Sequence, residues 1–263
     1  MDLGIKGRIA LITGADSGIG FSTAEHLLAE GVTVVISDLD QAELDKSAAK
    51  LKGTVHAFAA DLTKPAEVAA LRTKVLDAVG VPQILINAAG ITGATGFFHE
   101  IDDDGWMKTL EVDLMSAVRL VRAFINDMRP TGWGRIVLTA SEDAVQPYVD
   151  ELPYCAAKAG VLSLVKGLSK TYAKDGILVN ACSPAYIHTP MTDAMMEKRA
   201  KEKGVSFEEA IKSFLDEERP FMELKRRGKP EEVAAVIAFL CSERASFVNG
   251  SNYRVDSGSV ATI

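Results

Sequence analysis

Short runs rich in Val and Ile recur along the chain, each followed by a longer stretch in which apolar residues return every three or four positions. Runs that are apolar throughout, rather than alternating, belong to strands covered on both faces. Their interleaving with helical stretches is the pattern of repeated strand-helix-strand units, which lay successive strands parallel in one sheet. The pattern predicts strands over 8–13, 33–37, 55–60, 84–87, 135–139, 178–181 and 253–255. Helices are predicted over 18–29, 41–51, 66–79, 103–128, 152–173, 192–217 and 231–241. Pro65 and Pro230 suit first helical turns, and Gly31, Gly53 and Gly80 suit helix ends. The expectation is one α/β domain over 1–263, a doubly wound, seven-stranded parallel sheet with helices on both faces.

Residues 189–220 break the rhythm with Met191, Met195 and Met196, then Lys198, Arg199, Lys201 and Lys203, then Glu208 and Glu209. Insertions after the carboxyl end of a strand in such sheets cover the ligand, so this segment is expected to be a substrate lid.

Composition narrows the partners. Of 263 residues, 48% are hydrophobic, enough for a substantial core, and the formal charge of -7 has the wrong sign for a nucleic-acid backbone or an anionic membrane surface. Cys155, Cys182 and Cys241 lie far apart without metal-ligand spacing, so neither a disulfide framework nor a metal site is expected. With no apolar leader after Met1 and no long uncharged apolar run, a cytoplasmic protein is expected.

The first apolar run ends in Thr13-Gly14-Ala15-Asp16-Ser17-Gly18-Ile19-Gly20 and passes at once into a helical pattern. Glycines let the backbone approach a ligand closely, and the positive end of the following helix attracts a pyrophosphate. The GxxxGxG spacing departs from the GxGxxG fingerprint, and a ligand-free strand-to-helix turn would carry the same glycines. The second strand closes on Asp38, 18 residues after Gly20, where a carboxylate accepts from adenosine ribose hydroxyls and repels a 2′-phosphate. Neither Asp16 nor Ser17 offers that phosphate a cation, so NAD is the expected cofactor.

Further on stand Asn87-Ala88-Ala89-Gly90 after the fourth strand, Ser141 after the fifth, and Tyr154-Cys155-Ala156-Ala157-Lys158 at a helix start. Together with the glycine turn, these resemble the short-chain dehydrogenase/reductase superfamily, in its compact branch with a TGxxxGxG turn and a YxxxK pair. The likeness runs from Thr13 to Asp256. It implies a Rossmann-type fold and a hydride exchange between a nicotinamide and a secondary alcohol or ketone. Tyr154 would be the acid/base, Ser141 would bond the same substrate oxygen, and Lys158 would also hold the nicotinamide ribose. Gly14, Asp16, Ser17, Gly18, Ile19, Gly20 and Asp38 would hold the cofactor, with Asp61 and Leu62 at the adenine, Asn87 and Gly90 at ribose, and Ile187 and Thr189 at the carboxamide. A homotetramer or homodimer built through 103–128 and 152–173 is also implied; Leu120, Val121, Phe124, Ile125, Leu162, Val165 and Leu168 fit such a seam or packing on the sheet equally.

The chemistry of the pair also stands apart from the resemblance. Tyr154 and Lys158 are four apart, hence on one helix face, so the ammonium favours phenolate in a side chain that ordinarily titrates near ~10.

Three positions depart from the family pattern. Asp113 stands where the family carries an Asn that keeps a helix bend and a bound water near the lysine; a carboxylate there is expected to draw Lys158 into an ion pair and alter the pH optimum. Ala185 follows Pro184 in place of a glycine, and Ser257 follows Asp256 where a glycine is common.

Ile91, Thr92, Glu142, Gln146, Tyr148, Tyr186 and His188 are the candidate substrate-pocket residues. Glu142, with Asp143, Asp150 and Glu151 nearby, disfavours an anionic substrate, so a free polar or cyclic ketone or secondary alcohol is expected. Two other functions fit the motifs. One is a 3-oxoacyl-(acyl-carrier-protein) reductase using NADPH, against which Asp38 and the negative charge count. The other is a non-catalytic NAD-binding regulatory protein, against which the intact Ser141, Tyr154 and Lys158 count.

Overall fold

A computed structural model describes residues 2–262. Seven strands, β1 (Ile9–Thr13), β2 (Thr33–Ser37), β3 (Val55–Ala57), β4 (Ile84–Asn87), β5 (Gly134–Thr139), β6 (Ile177–Pro184) and β7 (Asn252–Val255), form one sheet in the order β3-β2-β1-β4-β5-β6-β7. Every neighbouring pair is parallel. The order reverses between β1 and β4, so the crossovers leave on opposite sides and a crevice opens at the carboxyl ends of these two strands.

The apolar runs explain the layers. Alternate residues of a strand face opposite sides. Leu11, Val35 and Leu85 meet one cluster with α3 (Pro65–Val79), α5 (Ser116–Met128) and α6 (Leu152–Tyr172). Ala10, Ile12, Val34, Ile36, Ile84 and Ile86 meet the other with α1 (Gly18–Ala29), α2 (Gln41–Ala48) and α9 (Pro230–Leu240). Leu120, Val121, Phe124, Ile125 and Val165 lie in the first cluster, so these five face the protein's own core rather than an outward seam.

Two helical expectations are corrected. The stretch 103–128 is not one regular helix: α4 (Asp103–Leu110) passes through a π turn at Glu111–Met115 before α5. The expected helix over 192–217 is two, α7 (Pro190–Lys203) and α8 (Phe207–Glu217). Gly204 ends α7 in the left-handed conformation at φ 65°, and Ser206 caps α8 by accepting from the Glu209 amide while the Glu209 carboxylate accepts in return from the Ser206 amide. α7 and α8 have a small core of their own, Met196, Phe214 and Leu215 with Tyr186 and Met222. β3 is shorter than expected, although the amides of Phe58 and Ala60 still donate to the carbonyls of Ile36 and Asp38. Among the described residues no helix is long and apolar enough to cross a membrane, and no His/Cys/Asp/Glu group could hold a metal ion.

Candidate active site

The glycine turn is set by close packing. Gly14 has φ 71°, and a Cβ there would lie 2.4 Å from the Ala89 backbone nitrogen; a Cβ on Gly20 would lie 2.1 Å from the Gly14 carbonyl oxygen. These two glycines let β1, β4 and the start of α1 converge. Ser17 stands at the N-cap of α1 but makes no side-chain cap, because its hydroxyl donates to Asp16 Oδ1 at 2.8 Å. The first amides of this 12-residue helix are thus left without a side-chain acceptor at the mouth of the crevice, where an anion would take them.

The crevice is a cavity of about 700 Å³. Gly14, Asp16, Ser17, Gly18, Ile19, Gly20, Asp38, Asp61, Leu62, Gly90, Ile91, Ser141, Tyr154, Lys158, Ile187 and Thr189 all line it, so chain segments from residue 13 to residue 192 meet there. At one end, Asp38 accepts from the amides of Leu39 at 2.8 Å and Asp16 at 3.4 Å. Burial raises its carboxyl, and the nearby Asp16 charge adds to the rise. The only lysines lining the cavity among the described residues are Lys108 and Lys158, and no arginine does. Asp61 is held low, chiefly by the Thr63 hydroxyl donating to it at 2.6 Å.

At the other end β5 delivers Ser141, and α6 presents Tyr154 and Lys158 one turn apart. Lys158 is buried, with Nζ 5.3 Å from the Tyr154 ring centroid, donating to the Thr139 carbonyl at 3.2 Å and lying 3.5 Å from Asp113 Oδ1. Burial holds Tyr154 well above the ordinary tyrosine value, the charges of Asp143 and Asp113 push the same way, and the Ser141 hydroxyl opposes them. Asp113 belongs to the π turn. Its Oδ1 accepts from the Ile91 amide at 3.1 Å, and burial raises its carboxyl despite the neighbouring lysine. A Cβ on Gly90 would come within 2.7 Å of that oxygen, which explains the glycine after Ala88 and Ala89.

Other expected residues lie elsewhere. Asn87 is buried in the β1–β4 ladder beside Thr13 and does not line the cavity; its Nδ2 has no partner. Asp113 does not line the cavity and reaches it through its contacts with Lys158 and the Ile91 amide. Of the substrate-pocket candidates, only Ile91 lines the cavity. Glu142, in the turn just after Ser141, points away from the cavity toward Arg219, which also stacks at 3.4 Å over Tyr148. Gln146 donates to the Ser259 carbonyl at 2.9 Å, and Tyr186 packs on Phe214. His188 lies beside Asp193 in a separate shallow pocket on the outside of α1, and Thr92 lies outside both pockets. Sequence reasoning missed Arg219, which follows α8 and joins it to Glu142 and Glu151, residues 77 and 68 positions away; no local spacing signals such a contact.

A family profile described as enoyl-(acyl carrier protein) reductase matches residues 14–260. The cyclohexanol dehydrogenase of an Acinetobacter species is 36% identical, over 95% of this chain and 93% of that protein. D-beta-hydroxybutyrate dehydrogenase of Rhizobium meliloti is 30% identical, over 95% and 98%. The crystal structure of L-sorbose reductase from Gluconobacter frateurii, complexed with NADPH and L-sorbose, superposes with a TM-score of 0.94 at 37% identity, each chain fully covered. The chain belongs to the short-chain dehydrogenase/reductase family, and its relatives are oxidoreductases.

Proposed function

We propose that the protein is an NAD(H)-dependent oxidoreductase that interconverts a secondary alcohol and a ketone, with Tyr154 as the acid/base. The observation that carries this reading is the convergence of Ser141, Tyr154 and Lys158 on one end of a cavity whose other end is formed by Asp38 and the uncapped start of α1. That cavity suits a nicotinamide dinucleotide. The amides of Gly18, Ile19 and Gly20 would take the pyrophosphate, Asp38 the adenosine ribose hydroxyls, and Lys158 the nicotinamide ribose. Asp61 and Leu62 would flank the adenine, and Ile187 and Thr189 the carboxamide; all four line the cavity.

A bound nicotinamide would supply the hydride acceptor for oxidation of the carbinol carbon and the hydride donor for reduction of the carbonyl carbon. Tyr154 moves the matching proton, removing it from the hydroxyl in oxidation and returning it to the carbonyl oxygen in reduction. Its raised titration keeps the phenol protonated, the form that reduction requires. In oxidation, the Lys158 ammonium stabilises the phenolate from the same helix face. Ser141 would fix the reacting oxygen beside Tyr154, and Thr189 to Thr192, the start of the 189–220 segment, line the cavity and would help keep water from it.

Two carboxylates at the ribose end, Asp16 and Asp38, support NAD over NADP. The opposing reading, an NADPH-dependent carbonyl reductase, draws on the cofactor of the sorbose reductase structure and on the description of the matching family profile. Initial rates on a panel of secondary alcohols and ketones with each cofactor separate the two. The proposal expects turnover with NAD(H), and a loss of ~10²–10⁴-fold in Tyr154→Phe. A preference for NADP(H) overturns the cofactor assignment. NADH binding without turnover in either direction moves the protein to the non-catalytic class.

A further inference from the structure

A reduction that leaves Tyr154 as a phenolate needs one proton from solvent before the next turnover, and an oxidation must shed one. Two side chains beside Tyr154 carry protons, Lys158 and Ser141, and the groups beyond them end differently. On the lysine side, Nζ lies 3.5 Å from Asp113 Oδ1, and the Asp113 side chain is 0% exposed. On the serine side, the Ser141 hydroxyl stands in hydrogen-bond contact with the Tyr154 phenol and donates to Asp143 Oδ1 at 3.1 Å. Asp143 in turn shares a hydrogen bond with Glu151, a bond that two carboxyls form only when one of them holds a proton. Glu151 stands at the N-cap of α6 with its side chain 12% exposed, and its Oε2 lies 3.4 Å from Arg219 Nη2. A file of hydrogen-bonding groups thus runs from the phenol to the surface.

The packing explains why the carboxyl pair keeps a proton. Asp143 is 4% exposed and has no salt bridge among the described residues. Glu151 meets both Asp143 and Asp150 against the single charge of Arg219, which is divided with Glu142 and lies over the Tyr148 ring. Burial, and then the Asp143 charge, hold the Glu151 carboxyl up at about 8. At neutral pH it is therefore a loaded proton donor.

Building on the proposed reaction, we infer that Asp143 and Glu151 carry the proton between Tyr154 and solvent, with the Ser141 hydroxyl as the bridge. In reduction the phenolic O–H bond breaks as Tyr154 protonates the carbonyl oxygen. The proton of the carboxyl pair then moves from Glu151 to Asp143 and on to Ser141, as the Ser141 proton joins the phenolate. Glu151 takes a replacement from water. One solvent proton enters per ketone reduced, and oxidation runs the same path outward. Neither carboxyl lines the cavity; both act through Ser141.

The test separates hydride transfer from proton delivery. Cyclohexanone is the first probe, followed by the ketone of the panel above with the highest rate. First-turnover NADH oxidation is compared with steady-state kinetics at neutral pH in wild type, Glu151→Gln and Asp143→Asn, variants that keep the shape and lose the transferable proton. First-turnover hydride transfer and kcat/KM are expected to stay within about twofold, because the phenol starts protonated. In both variants kcat falls about tenfold or more, and KM falls with it. Imidazole in solution restores kcat in Glu151→Gln, where the missing group lies nearest the surface. Wild-type kcat in reduction declines as pH rises through about 8, and Glu151→Gln lacks this limb. An equal fall in first-turnover hydride transfer and kcat overturns the relay and leaves the carboxyls as supports of Ser141. An unchanged kcat in both variants overturns it as well. If Asp143→Asn fails to fold, Glu151→Gln and its recovery by imidazole decide. In these cases loss of turnover in Tyr154→Phe leaves the alcohol-ketone reading standing, whereas no hydride transfer by wild type with any ketone overturns that reading and the relay with it.

Discussion

Replacing Glu151 with Gln tests the electrostatics beneath the catalytic loop. Arg219 Nη2 lies 3.4 Å from Glu151, yet burial and then the charge of Asp143 push this carboxyl from 4.5 up to about 8. Between those two values the folded protein binds more protons than the unfolded chain. The group's contribution is complete below a pH of about 4.5 and is lost as pH rises through about 8. At ~1.4 kcal/mol per pH unit the ceiling is ~5 kcal/mol. Glu142, raised to about 7 in the same cluster, shares the protons, so ~2–3 kcal/mol is the expected part of Glu151 alone. Gln keeps an acceptor for Arg219 and removes the titration. Thermal unfolding at fixed protein concentration should give equal midpoints for Glu151→Gln and wild type near about pH 5. Near about pH 8.5 the variant should unfold ~5–10 °C higher. Parallel curves, or a variant less stable at the upper pH, would refute the reasoning.

Two further outcomes are expected. In Asp113→Asn the carboxylate 3.5 Å from Lys158 is gone, so the lysine charge acts undivided on Tyr154. The acidic limb of the oxidation profile should move down by about one pH unit, and superimposable pH-rate profiles would rule this out. In Gly14→Ala a Cβ must occupy a left-handed position 2.4 Å from backbone, which should lower stability by ~1–3 kcal/mol and weaken NADH binding; an unchanged unfolding midpoint and affinity would count against the packing role.

Much of this molecule could be read from residue order because its signals are local. The Val and Ile runs that became β1, β2 and β4 are apolar at every interior position, the pattern of a doubly covered strand. Residues Gly14 to Gly20 form a strand-turn-helix in which Gly14 and Gly20 answer contacts within a few positions or just across to the end of β4, whereas Gly18 faces the distant Thr189. The π turn at Glu111–Met115 escaped because one widened turn leaves the apolar spacing on either side intact. The break between α7 and α8 was written in Gly204 and in the Ser206-to-Glu209 capping box, but continuous charged residues on both sides masked it. Glu142, Tyr148 and Tyr186 were expected in the substrate pocket by their place after strands; Arg219 and Phe214 draw them under the loop instead. Contacts of that range follow from the assembled tertiary structure and from nothing in the neighbouring sequence.

The separate core of the α7–α8 segment bears on how far a disturbance there can spread. Tyr186, Met196, Phe214, Leu215 and Met222 pack with one another and stand outside the two clusters that flank the sheet. Salt bridges from Arg199 to Glu217 and from Lys203 to Glu217 then tie α7 to α8 within the same segment. The α7–α8 segment thereby holds together on its own, with Arg219 joining it to Glu142 and Glu151. A change inside this small core is expected to loosen the segment locally while the two clusters flanking the sheet keep their packing.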